Sequence, residues 1–190
     1  MKKTYVLIGL MTLAMPVLQG CVPLVVGATA GTVLVANDRR TTGTLIDDRS
    51  IELKLENRLK DEFGDRAHVN VTSYNRAALL TGEAESGDVK QGAERAARTI
   101  PGVGKIHNEI VIGPNASLGS RTSDATTTTR VKTALIGNTS INANQIKVVT
   151  EAGSVYLMGM VSRFEGKTAA DIAASISGVK RVVTLFEYLD

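Results

Sequence analysis

Apolar residues follow helical and then alternating periods in two successive stretches of this chain, in the same order each time. Ile51, Leu55 and Leu59 recur every four residues, which gathers them on one face of a first helix. Two alternating strands follow, joined at Asn75-Arg76. A second helix is predicted through Val89, Ala93, Ala96, Ala97 and Ile100, and a last strand over residues 105–112. The later stretch repeats the order. Val131 and Leu135 mark its first helix, Ala152-Gly153 its strand–strand turn, and Ala169, Ile172, Ala173 and Ile176 its second helix. A strand over residues 181–187 closes it. Ser162-x-x-Glu165 opens that second helix as a capping box, in which each side chain satisfies a backbone N–H of the other residue.

The match is also residue by residue. His68–Gly82 aligns without a gap on Gln145–Gly159, an offset of 77, so that Val71, Leu80 and Gly82 fall on Val148, Leu157 and Gly159. Ile100-Pro-Gly-Val103 falls on Ile176-Ser-Gly-Val179. A period of this length indicates two copies of a small domain, not a solenoid of short repeats. Each copy reads α-β-β-α-β, and a strand–helix–strand crossover is right-handed, which sets strand three parallel to strand two. The expected fold is therefore α+β: two tandem units, each a three-stranded mixed sheet with both helices on one face and Leu80 or Leu157 in its own core. The expected division is a leader at 1–20, a tether at 21–47, the first unit at 48–113, a linker at 114–121 and the second unit at 122–190. Gly82 and Gly159, late in strand two, mark a bulge or close backbone approach, with ligand contact as the alternative. Gly102 and Gly178 suit left-handed helix caps.

The first 20 residues stand apart from this pattern. Lys2 and Lys3 precede an apolar run from Tyr5 to Leu18 that is too short and interrupted to span a bilayer. It ends in Leu18-Gln19-Gly20-Cys21, a lipobox: the thiol takes a diacylglyceryl group, cleavage follows Gly20, and the new amine is acylated. Cys21 is thus the expected lipid attachment site. Two or more acyl chains hold a protein stably at a membrane, where one does not. Residue 22 is Val, not the Asp that retains such proteins at the inner membrane, so the outer membrane, periplasmic face, is expected.

Cleavage changes the charge. The chain has 22 basic and 19 acidic residues, and loss of Lys2 and Lys3 takes the net charge from +3 to +1. A near-neutral mature chain carries no electrostatic footprint for nucleic acid. One cysteine excludes an intrachain disulfide and a cysteine-based metal site. The two histidines, His68 and His107, meet Gln145 and Val183 in the other copy, so the shared pattern requires neither. No Ser-His-Asp arrangement, P-loop or H-E-x-x-H occurs, and Gly102-Val-Gly104-Lys follows a helix, whereas anion-binding loops precede one. No catalytic residue, metal or cofactor is expected.

The duplicated unit, with strand two ending in Leu-x-Gly and helix two followed by Gly-Val-x-x-Val/Ile, resembles the BON domain. With the lipobox, the whole chain is similar to the dual-BON-domain outer-membrane lipoproteins. That resemblance implies association with anionic phospholipid, support of envelope integrity and recruitment to the division site, with no enzymatic activity. The alternative from another class is a scaffold that docks envelope proteins, such as assembly factors or regulators of cell-wall hydrolases.

The second unit's first helix gives the phospholipid contact candidate residues. At 100° per residue Thr127, Val131, Ala134 and Leu135 form its core side, leaving Ala125, Thr129, Lys132 and Ile136 in an outer stripe flanked by Arg130 and Thr126. An outward Ile beside cations is an interfacial pattern, and packing of Ile136 against the first unit or helix two is the alternative. The resemblance implies lipid contact at this helix, although relatives can carry a bulky aromatic near its start, where this chain has Thr126. Phe164, at the start of helix two, is expected to share the contact.

Overall fold

The computed structural model describes residues 38–190. Helix α1 spans Thr42–Phe63 and buries Ile51, Leu55, Leu59 and Phe63, one stripe at four-residue spacing. It starts before the apolar period does. The Thr41 side chain accepts a hydrogen bond from the Thr44 N–H, so residues 42–47 form the first turns of the helix instead of continuing the tether. A single 3-10 turn, Gly64–Arg66, leads into β1 (Ala67–Tyr74) and β2 (Ala77–Ala84), which pair antiparallel. Asn75 and Arg76 both have positive φ, 48° and 64°, as a two-residue hairpin turn whose twist matches its strands requires. Helix α2 (Gly87–Arg98) is capped by Ser86.

The third strand, expected over residues 105–112, is divided into β3 (Lys105–Asn108) and β4 (Val111–Ile112), both parallel to β2. The Asn108 carboxamide oxygen accepts from the Ile110 N–H, an internal bond that replaces the ladder there, while the Ile110 side chain stays in the core. The second unit has no such break. Helix α3 (Leu118–Ile136), capped by Ser117, takes its first turn from the expected linker. Strands β5 (Ile146–Glu151) and β6 (Ser154–Val161) form the hairpin. The capping box of Ser162 and Glu165 then opens α4 (Arg163–Ala174), and β7 (Arg181–Tyr188) lies parallel to β6.

Each sheet has its second strand in the middle, and both helices of each unit pack on one face. Leu80 and Leu157 are fully buried in separate cores. A Cβ at Gly82 would run into the His68 carbonyl oxygen, and one at Gly159 into that of Gln145, so these glycines serve close approach of neighbouring strands and not a ligand. Gly102 and Gly178 have the expected positive φ, 91° and 98°, but not as helix caps. The caps are Thr99 and Ser175, and the glycines occupy the next tight turn, where Val103 donates to Ile100 and Val179 to Ile176.

A buried aspartate recurs at the same place in both units. Asp48 of α1 accepts from the Asn75 and Arg76 N–H groups, and Asp124 of α3 accepts from those of Ala152 and Gly153. In each copy one carboxylate therefore ties the first helix to the hairpin turn.

The two sheets face each other through the sides that carry no helices. Tyr74 and Leu79 of the first pack with Tyr156 and Met158 of the second, flanked by Ala77, Val149, Met160, Val183 and Leu185. Polar groups close the rim. Lys147 reaches Glu52 at 2.8 Å, the Tyr74 hydroxyl donates to the Gln145 carbonyl, Asn75 donates to Glu187, and Arg181 pairs with Glu109 at 3.2 Å.

Candidate functional site

The residues singled out on α3 follow from its one-sided burial. Thr127, Val131 and Leu135 are buried, while Ala125, Thr126, Thr129, Arg130, Lys132 and Ile136 face outward. Ile136 is 71% exposed, packing against neither the first unit nor α4. Among the described residues, Arg130 and Lys132 form no ion pair, which leaves both charges available.

Chain path brings Ile136 and Phe164 to one end of the unit. Helix α3 ends at Ile136, and β5 begins shortly after. The β5 residue Ile146 pairs with Gly159 near the end of β6, from which α4 starts within a few residues. Phe164, 63% exposed, is thus on the first turn of α4 beside the region where α3 ends. A half-open groove of about 250 Å³ lies there, lined by Lys132, Leu135, Ile136, Ala143, Asn144 and Ile146. Its floor is apolar, and an ammonium and a carboxamide stand at its wall.

The other candidates stand off from it. Arg130 lies about 9 Å along the α3 axis from Ile136 and about 120° around it, and Thr126 about 15 Å along. The Thr126 hydroxyl donates to the Thr122 carbonyl of its own helix. Lys132 and Ile136 are therefore the pair that the fold brings together. His68 and His107 are on β1 and β3, opposite edges of one sheet with β2 between them, and do not meet. Burial pushes the His107 imidazole below its ordinary value, and the Lys105 charge adds to this.

Sequence reasoning missed Arg39, which falls within the tether expected over residues 21–47. Its guanidinium makes a two-pronged ion pair with Glu165 on the first turn of α4, at 2.8 and 2.9 Å, and donates to the Met160 carbonyl at 2.7 Å. Its backbone N–H donates to the Gln145 side-chain oxygen at 2.9 Å. The Arg39 contact holds the Glu165 carboxyl below the usual glutamate range, against the upward push of burial, with the Ser162 N–H helping. The one sequence signal nearby was Glu165 itself, whose part in the capping box already accounted for it.

Two sheets packed back to back, each with two helices on its outer face, define a tandem α+β protein, and Lys132, Ile136 and Phe164 are exposed at one end of its second unit. The BON domain family matches residues 47–114 and 123–190, and the chain belongs to the dual-BON-domain outer-membrane lipoproteins. It is 40% identical over 192 residues to the "Outer membrane lipoprotein DolP" of Haemophilus influenzae, covering all of this chain and 97% of that one. It is 34% identical over 154 residues to a "21 kDa hemolysin" of Actinobacillus pleuropneumoniae, covering 80% of this chain and 79% of that one. It is 26% identical over 152 residues to the "Osmotically-inducible protein Y" of Escherichia coli, covering 78% and 76%. The chain is accordingly an envelope-associated BON protein. Cys21 and the leader lie outside the described residues, and among those described no helix is long and apolar enough to cross a membrane.

Proposed function

We infer that the chain is a non-catalytic protein held at the periplasmic face of the outer membrane by acylated Cys21, whose second unit contacts anionic phospholipid. In this role it supports envelope integrity, including at the division site. The observation that carries the reading is the exposed Ile136 beside unpaired Lys132 at the mouth of an apolar groove. Arg130 and Phe164 flank the contact, and Thr126 contributes at most its methyl group. Each cation near an anionic surface contributes about 1 kcal/mol. Full burial of Ile136 adds about 1.5–3 kcal/mol, and skimming the headgroups adds less. Such a sum gives weak intrinsic affinity, which becomes useful once a lipid anchor confines the domain to one leaflet.

The test is flotation of unlipidated mature protein with vesicles of phosphatidylcholine, with and without phosphatidylglycerol. Wild type should float with the anionic vesicles, less so in high salt, while Ile136→Glu and Lys132→Glu should stay behind. Equal flotation of all three, or indifference to the anionic lipid, removes α3 as the lipid site.

A scaffold role for envelope proteins rests on one observation of its own. Ile46 and Leu53, seven residues apart on α1, form an exposed apolar stripe on the first unit. Retention of an envelope protein that is lost in Leu53→Glu, with flotation intact, would support that reading.

A further inference from the structure

Residues 38–41 lie across the seam between the two units, and their side chains bind in opposite directions. Arg40 faces the first unit: it pairs with Asp48 at 2.9 Å and its guanidinium stacks 3.9 Å above the Tyr74 ring. Thr41 caps α1. Arg39 faces the second unit through the four contacts described above. Those contacts converge on the last residues of β6, the first turn of α4 and Gln145. Gln145 lies between Asn144 and Ile146 in sequence, and both of these line the groove beside Ile136. A fork-to-fork guanidinium–carboxylate pair fixes direction as well as distance, which an ammonium does not. The Glu165 side chain is 14% exposed and that of Arg39 33%, so water screens this pair only in part.

We propose that Arg39 is a positioning residue that pins the exit of the N-terminal tether to the groove end of the second unit, so that the acyl anchor and the α3 contact address the same leaflet. The lipid half of this statement rests on the function proposed above, whereas the pinned exit does not. Only residues 22–37 separate Cys21 from the described chain. The far end of α1 lies roughly 33 Å along the helix axis from the end that Thr41 caps, close to the point where the tether leaves. Where the tether leaves the protein therefore decides which end the anchor favours, and the effective concentration of the groove at the membrane follows.

The test uses soluble mature protein with Cys21→Ser and a nitroxide on Ala30→Cys, read by NMR. The label should broaden the amides of Ile136, Asn144 and Phe164 and spare Asp65 at the far end of α1. The Arg39 amide should exchange slowly with solvent. Arg39→Ala should abolish both the bias and the slow exchange, and Arg39→Lys should restore them only in part. Broadening and exchange that are unchanged in Arg39→Ala overturn the proposal, as does equal broadening of both ends in the parent. Flotation of Ile136→Glu is scored separately. If it floats like wild type, the lipid contact falls while the pinned exit stands on the NMR result. If the NMR bias is absent while flotation depends on Ile136, the pinned exit alone falls.

Discussion

Replacing Asp124 with Ala tests the tie between helix and hairpin found in both units. The carboxylate accepts from the Ala152 and Gly153 N–H groups, each at 2.9 Å, across 28 and 29 residues of chain. Both donors belong to residues with positive φ, 50° and 79°, conformations that the surrounding structure must hold in place. A hydrogen bond to a charged group contributes about 1.5–3 kcal/mol when its partner is left buried. Gly153 is buried and would keep an unpaired donor, whereas Ala152 is exposed and would turn to water. The expected loss for Asp124→Ala is therefore about 2–4 kcal/mol, out of the roughly 5–15 kcal/mol that a domain has. Asp124→Asn keeps one acceptor and turns a donor toward the other N–H, so it should lie between wild type and the alanine variant. Urea unfolding followed by circular dichroism measures this, with the midpoint falling at constant slope. A midpoint shift for Asp124→Ala worth less than about 0.5 kcal/mol, the range of neutral surface changes, would refute the argument.

Other outcomes follow from the same structure. Leu157→Ala, in a fully buried position, should lower stability by about 2–5 kcal/mol in urea unfolding, and a change below 1 kcal/mol would show that the site is not core. In acid the seam should loosen before the units unfold. Burial pushes the Glu52 carboxyl up, but Lys147, the Ser73 N–H and Arg49 hold it net below its ordinary 4.5, and Arg39 does the same for Glu165. Carboxyls lowered on folding stabilise above the ordinary value, and that contribution is lost as the pH falls through their lower folded values. Glu151, raised mainly by burial, acts in the opposite sense and is favoured by acid. Small-angle scattering should show the molecule expanding below about pH 4.5 with its circular dichroism retained, and constant dimensions there would contradict this. Cys21→Ala should leave an uncleaved, unacylated precursor that still carries Lys2 and Lys3 and runs larger on a gel, and normal processing would remove the lipobox assignment.

The order of elements, the duplication and the core positions were legible because they are local, periodic properties of the chain. Ile51, Leu55 and Leu59 repeat at a helical interval, and Leu80 and Leu157 sit in aligned segments, so each copy corroborates the other. The outward face of α3 was legible for the same reason. What lies across the chain from a residue has no period. The first turns of α1 and α3 are polar, and only their caps, Thr41 and Ser117, show where the helices begin. Asp48 and Asp124 occupy equivalent positions in the sequence. Their task exists only once a turn some 28 residues later folds back onto them. The strands of each hairpin read as alternating, with one covered face, whereas Val155–Met158 is buried on both. Tertiary structure supplied the second cover, the other unit's sheet, because covering Tyr74, Leu79, Tyr156 and Met158 at once removes two helix-free apolar faces from water. Arg39 was invisible for the same reason: its partner Glu165 is 126 residues away, and only the packing of the two sheets brings the tether's last residues onto the second unit.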